Sequence, residues 1–245
     1  MVRRVRIATW NVNSLNARVG RVERWLETFE PDVLCLQETK LADDAFPALT
    51  FEALGYETFH HGQGQWNGVA ILSRVGLENP IGGFGDGADP DVDARIAWAT
   101  CAGVRVASCY VPNGRSLDHE HYQYKLRWLD RLAGDLDGQC DPRDDVVVMG
   151  DYNICPADID CWDPKKFETE THTSQAERDK LAHEADTEFE AALDDAETAE
   201  DDGVAAARIA AAQEWQRRLA VRSKPERLWQ LRYLDNLTMI QEGKD

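Results

Sequence analysis

The sequence predicts an α/β (α+β) chain built as a four-layer sandwich, two packed mixed β-sheets flanked by helices, followed by a helical tail. Three observations carry that expectation. Short apolar runs of strand length recur, among them Val33-Leu34-Cys35-Leu36, Val69-Ala70-Ile71-Leu72 and Val146-Val147-Val148-Met149, and such runs suit strands buried on both faces. Some are joined by tight, Gly-containing connections of hairpin type and others through a helix. Between them lie stretches with apolar residues at helical spacing, which supply outer layers for the sheets.

Taken in order, Val5 to Trp10 reads as a strand with Asn11-Val12-Asn13-Ser14 at its end. A helix from Ala17 to Thr28 follows, with Val19, Val22, Trp25, Leu26 and Phe29 on one face. Pro31-Asp32 turns the chain into the run Val33 to Leu36, which ends in Gln37-Glu38-Thr39-Lys40. A strand–helix–strand unit makes the two strand ends neighbours at one edge of the sheet, where ligand sites of α/β proteins favour lying. Asn11 and Glu38 therefore occupy equivalent places. Further strands are expected at Glu57–His61, Val69–Ser73, Ala94–Thr100 and Val104–Tyr110, with Gly62 to Gly68 as a hairpin-like loop. Ile81 to Asp93, with its Gly, Asp and Pro90, reads as an exposed loop, and Cys101-Ala102-Gly103 as a tight turn. Pro112 and Gly114 force a loop after Tyr110. A helix from Glu120 to Leu136 carries Tyr124, Leu126, Leu129 and Leu132 together with Lys125, Arg127 and Arg131.

The run Val146 to Met149 is expected to end at Gly150, leaving Asp151 and Asn153 two residues apart. On an extended backbone both side chains would point to one spot. Asp and Asn are also common turn formers, so this stretch alone permits a simple turn. Ser174-Gln175-Ala176-Glu177 has the form of a helix capping box. From His183 onward the chain is first acidic, then Ala-rich and helical in pattern, so residues 1–182 and 183–245 are read as a domain and an appendage.

At 245 residues the chain can bury a full core as one large domain or two small ones. The charged N-terminus with no apolar segment behind it predicts no signal peptide, and no stretch is long enough to span a membrane. The six cysteines form no C-x-x-C pair and read as reduced, mostly buried thiols of a cytoplasmic protein. A formal charge of -18 disfavours a module that grips nucleic acid through a broad basic surface. An enzyme using a divalent cation has less need of one, because the metal brings positive charge to a phosphate. His119 and His121 are spaced for chelation but read as exposed residues near a helix start. Arg18, Arg21 and Arg24 read as a solvated helix face. Trp66 and Trp162 lie in loops, open either to stacking beside an extrahelical nucleotide or to ordinary packing.

Four stretches converge on one chemistry: Trp10-Asn11-Val12-Asn13-Ser14, Leu36-Gln37-Glu38-Thr39-Lys40, Tyr110-Val111-Pro112-Asn113-Gly114 and Gly150-Asp151-Tyr152-Asn153. With His61-Gly62-Gln63, Gly68 to Leu72 and Arg95-Ile96, the ordered set resembles the exonuclease III-like abasic-site endonucleases of the endonuclease/exonuclease/phosphatase superfamily. The resemblance implies that Glu38 holds Mg²⁺ or Mn²⁺ with Asn11 nearby. It implies that Asp151 orients or deprotonates the attacking water and that Asn153 holds the phosphate or positions that base. Tyr110 would donate to the phosphate, with Asn113, Arg115 and Arg95 as substrate-binding residues. A hard cation suits such oxygen donors and keeps positions open for a phosphate oxygen.

Members of that family finish with further strands bearing an Asp and a closing Ser-Asp-His whose His contacts the scissile phosphate. Neither stretch is found here. His172 and His183 are the only histidines after Asp151, neither follows Ser-Asp, and Asp235-Asn236-Leu237 is no substitute. The sandwich is therefore expected to be incomplete at its C-terminus, with an exposed edge on the second sheet. The implied activity is a metal-dependent phosphodiesterase of base excision repair, an abasic-site endonuclease or 3′-5′ exodeoxyribonuclease. Its partner would be double-stranded DNA with abasic sites or 3′ ends; it would work as a monomer and without a membrane. The rival is a catalytically inactive derivative that serves as an interaction protein through its acidic tail. A third reading is a phosphatase of small phosphoesters.

Overall fold

Strand β1 (Ile7–Asn11) lies parallel to β2 (Val33–Gln37), the two joined through helix α1 (Val19–Phe29). The computed structural model describes residues 5–140 and 144–181; the appendage expected at 183–245 lies outside the described residues. β2 pairs antiparallel with β4 (Val69–Ser73), and β4 with β3 (Glu57–His61), giving a first sheet in the order β1-β2-β4-β3. The second sheet has the order β5-β6-β7-β8, from β5 (Glu78–Gly82), β6 (Ile96–Cys101), β7 (Val104–Tyr110) and β8 (Val146–Asp151). Its last pair, β7 and β8, is parallel and joined through helix α3 (Glu120–Gln139). Both sheets are mixed, as expected.

Alternation along the strands builds the layers. In β2, Val33 and Cys35 face the other sheet and join Val69 and Ile71 against Ala97, Ala99, Cys101 and Val106. Leu34 and Leu36 point the other way, onto Val22 and Leu26 of α1. On the second sheet, Ile96, Trp98, Ala107 and Cys109 pack on Trp128, Leu129 and Leu132 of α3. The result is helix, sheet, sheet, helix, with each fully buried Leu, Ile or Val contributing roughly 1.5–3 kcal/mol of burial. A buried polar link crosses between the sheets. Gln37 donates from Nε2 to Ser108 Oγ (3.0 Å), and Ser108 Oγ donates to the Leu36 carbonyl (3.0 Å). Both side chains are fully buried, and Thr9 completes the set by donating to Gln37 Oε1 (3.2 Å).

Several expectations need correction. β8 is partly exposed at every residue instead of buried on both faces, because among the described residues it pairs with β7 alone. The strand also runs through Gly150 to Asp151. Gly150 sits opposite Cys109 so closely that a Cβ there would lie 1.8 Å from the Cys109 carbonyl oxygen, so only glycine lets the two strands pair. β5 begins before, and reaches into, the segment read as a loop; Pro80 marks it as an edge strand that cannot donate at that residue. A short helix α2 (Ala48–Glu52), which buries Phe51, had no sequence counterpart. Lys125, grouped by sequence with the charged side of α3, is fully buried. Among the described residues, no helix is long and apolar enough to cross a membrane.

Candidate active site

The parallel pairs β1/β2 and β7/β8 end at one place, with β8 lying against both β1 and β2. Register explains which residues meet: Asn11 is opposite Gln37, one residue before Glu38, and Tyr110 is directly opposite Asp151. Asn11 occupies the centre. Its Nδ2 donates to Glu38 Oε1 (2.8 Å) and to Asp151 Oδ2 (2.7 Å), so one carboxamide spans two carboxylates that are 113 residues apart in the chain (151 − 38). Its Oδ1 accepts from the Asn13 N–H (2.9 Å), which orients the amide.

Glu38 also meets the Lys40 ammonium, 2.9 Å from Oε2, and accepts from the Tyr110 hydroxyl. Partial burial pushes its carboxyl up, but the hydrogen bonds from Asn11, Lys40 and Tyr110 outweigh that and hold it below the usual glutamate range. It is an anion at neutral pH. Tyr110 moves the other way: burial and the adjacent Glu38 charge raise its phenol well above the ordinary tyrosine value, so it remains a donor. Arg95 lies behind it. Its guanidinium is 4.8 Å from the Tyr110 ring centroid, bonded to Asp93 Oδ2 (2.8 Å) and to the Tyr110 carbonyl (3.3 Å).

Asp151 and Asn153 converge through a turn instead of an extended backbone. Asn153 adopts φ +50°, and its N–H donates to Asp151 Oδ1 (3.1 Å), an Asx-type turn. Asn153 Nδ2 donates to the Val111 carbonyl (3.0 Å), which turns its Oδ1 toward Asn113 Nδ2 (3.4 Å). Arg115 sits at the exposed rim, its N–H on Asn113 Oδ1 (3.1 Å) and its guanidinium near His119 Nε2 (3.3 Å). His119 itself caps α3, accepting on Nδ1 from the His121 N–H (3.0 Å), so this histidine pair is used locally. Trp66 and Trp162 are exposed, Trp162 with Lys166 Nζ 4.3 Å from its ring centroid.

Glu38 and His172 share with Asn153 a left-handed backbone, at φ +53° and +84°. Non-glycine residues rarely adopt it and are found so where surrounding contacts over-determine the geometry, commonly at functional sites.

Sequence reasoning missed the anchor of this loop cluster. Lys125 and Glu177, both fully buried, pair at 2.5 Å (Nζ to Oε1). Lys125 also donates to the Asn153 carbonyl (2.6 Å) and the Asn113 carbonyl (3.4 Å). Glu177 takes the His172 N–H (3.0 Å) and, through Oε2, the Ser174 N–H (3.1 Å) and hydroxyl (2.6 Å). Burial pushes the Glu177 carboxyl up, but Lys125 and Ser174 outweigh it and hold it low. The capping box read from Ser174 to Glu177 is present; nothing local in the sequence signals its second partner 52 residues away.

Two hard carboxylates joined by a carboxamide, with no sulfur among them, form a donor set that fits Mg²⁺ or Mn²⁺. No group of three His, Cys, Asp or Glu side chains gathers among the described residues, so a bound ion would keep waters or substrate oxygens in most positions.

The chain matches the endonuclease/exonuclease/phosphatase family over residues 8–231. It belongs to that family. Exodeoxyribonuclease III of Haemophilus influenzae is 35% identical over 161 residues, which is 64% of this chain and 60% of that protein. The chain thus spans only about three fifths of that relative's length. Among solved structures, an AP endonuclease from Archaeoglobus fulgidus superposes with a TM-score of 0.72 at 36% identity, covering 75% of this chain and 71% of that one. A 3′ phosphatase from Neisseria bound to product DNA hairpin gives 0.71 at 39% identity, with the same coverage.

Proposed function

We propose that this family member is a divalent-metal-dependent phosphodiesterase acting on DNA in base excision repair, cutting beside abasic sites and trimming 3′ ends. The observation that carries the reading is the Asn11 carboxamide held between Glu38 and Asp151. These two carboxylates come from opposite sheets. The relatives act on DNA according to their names, one of them seen with a DNA product.

In this reading Glu38, with Asn11 beside it, holds Mg²⁺ or Mn²⁺, and the bound ion supplies charge neutralisation at the phosphate. Asp151, fixed through both oxygens by Asn11 and Asn153, accepts the proton of the attacking water. Asn153 spends one N–H on Val111 and has its second for a phosphate oxygen. Tyr110 keeps Glu38 ionised and aimed, and Arg95 supports Tyr110 from behind. Asn113 and Arg115 contact the DNA backbone at the rim. We further propose that the protein works as a cytoplasmic monomer; the buried free thiols of Cys35, Cys101 and Cys161 fit a reducing compartment.

The test is hydrolysis of a duplex carrying one abasic analogue, in Mg²⁺, with a chelator control. Cleavage beside the analogue that the chelator stops is expected. Absence of chelator-sensitive cleavage at high enzyme concentration overturns the proposal in favour of an inactive, interacting derivative. Faster turnover of small phosphoesters than of DNA would instead favour a phosphatase.

A further inference from the structure

His172 has no assigned role, yet its ring stands inside the site. Nε2 lies 3.0 Å from Asn113 Nδ2 and 3.3 Å from Asn153 Oδ1. Nδ1 lies 3.0 Å from Thr171 Oγ1, and the Phe167 ring of α4 (Pro164–Phe167) meets the imidazole edge-on, with centroids 6.3 Å apart. The left-handed backbone at His172 is fixed by its N–H on Glu177, the same carboxylate that binds Lys125, while Lys125 holds the Asn153 carbonyl. One buried ion pair therefore ties the backbones of His172 and Asn153 together, and the placement of the ring beside the two amides is built in.

We infer that His172 is a positioning residue: its imidazole orients the Asn113 carboxamide and, through it, that of Asn153, so that Asn153 presents its remaining N–H to the substrate phosphate. The catalytic consequence rests on the phosphodiesterase reading; the orienting contact does not. An imidazole accepting on Nε2 takes one Asn113 hydrogen and leaves the other for Asn153 Oδ1, so the ring acts on Asn153 through Asn113, its own 3.3 Å approach to Asn153 Oδ1 being a contact between two acceptors. Burial and the nearby Lys125 charge hold the ring below the ordinary histidine value, which favours the neutral acceptor form. A ring serving only as packing for Phe167 would need neither amide.

The experiment uses the full chain with His172→Ala, His172→Gln and, as control, Asp151→Asn. In His172→Ala, kcat on the abasic duplex is expected to fall about 10–100-fold, with KM changed by less than about threefold and the thermal midpoint nearly unchanged. His172→Gln, which retains a polar side-chain amide near the same position, should recover part of the loss. Independently of activity, the Asn153 side-chain amide signals in ¹⁵N-labelled protein, assigned by their loss in Asn153→Asp, should shift and exchange faster with water in His172→Ala. Unmoved Asn153 signals overturn the inference. So does an unchanged kcat in an active enzyme, or a loss that follows a collapse of the thermal midpoint and is not relieved by Gln. If the wild type does not cleave, or Asp151→Asn cleaves as well as it does, the phosphodiesterase reading fails separately and the amide signals alone decide the positioning.

Discussion

β2 and β8 are both short apolar runs, each pairs parallel with a neighbour, and each delivers a carboxylate to the site. Their surroundings differ. β2 lies between β1 and β4 with every residue buried, whereas β8 has β7 as its one partner among the described residues and is partly exposed throughout. Glu38 follows a strand that cannot move without disturbing two neighbours and both faces of the core. Asp151 ends a strand with half that support, and polar links hold it instead: Asn11 on one oxygen, Asn153 on the other, and the Lys125–Glu177 pair beneath Asn153. Apolar packing secures the strand that leads to Glu38, and directed hydrogen bonds secure the end of the strand that bears Asp151.

The largest effects break the comparison if only one half contributes to chemistry. Asp151→Asn and Glu38→Gln should each lower single-turnover cleavage of an abasic duplex by about 10³-fold or more. A loss confined to one of them would mean that the other carboxylate is structural. Next comes the anchor of the β8 side. Lys125→Met leaves the Glu177 charge buried without its partner and should cost about 3–5 kcal/mol in urea unfolding, while Lys125→Met combined with Glu177→Leu should regain most of that. If the single variant is as stable as the wild type, polar anchoring is the wrong account of β8.

The packing half is sharpened by two apolar truncations. Leu36→Ala in β2 should cost about 2–5 kcal/mol because its cavity is enclosed, and Val148→Ala in β8 about 1 kcal/mol because its site is already partly open to water. Equal costs would erase the distinction between the strands. The smallest effect is on acid sensitivity. Glu177 has a folded-state pKa depressed below the ordinary glutamate value, so its contribution is complete above the unfolded carboxylate value and is lost as pH falls through the folded one. Urea midpoints measured downward from neutral pH should therefore fall more steeply for the wild type than for the Lys125→Met, Glu177→Leu double variant.

Much of the fold was legible in the chain. The bounds of β3, β4 and β7 were read to the residue, because alternation and flanking Gly or turn residues are local signals. β5 was missed because Pro80 and its polar neighbours carry no alternation, and its pairing is supplied by β6. The site residues were named from strand ends and motifs, and the structure brings Asn11, Glu38, Tyr110, Asp151, Asn153 and Asn113 together. Arg95 and Arg115 take places behind Tyr110 and at the rim. Lys125 escaped because a lysine within an amphipathic helix reads as solvated; its burial depends on a carboxylate from a distant helix start. His172 escaped for the same reason, since every group its ring touches except Thr171 and Phe167 comes from far along the chain.

The sequence by itself determined where most strands and the long helices α1 and α3 form, and which oxygen-bearing side chains stand at strand ends. These depend on residues within a few positions of one another. Only the tertiary structure decided that Lys125 is buried and that Glu38 and Asp151 share one carboxamide. The reason is physical: such contacts form only after long loops close and two sheets stack, and the free energy that selects among those arrangements is spread over the whole core.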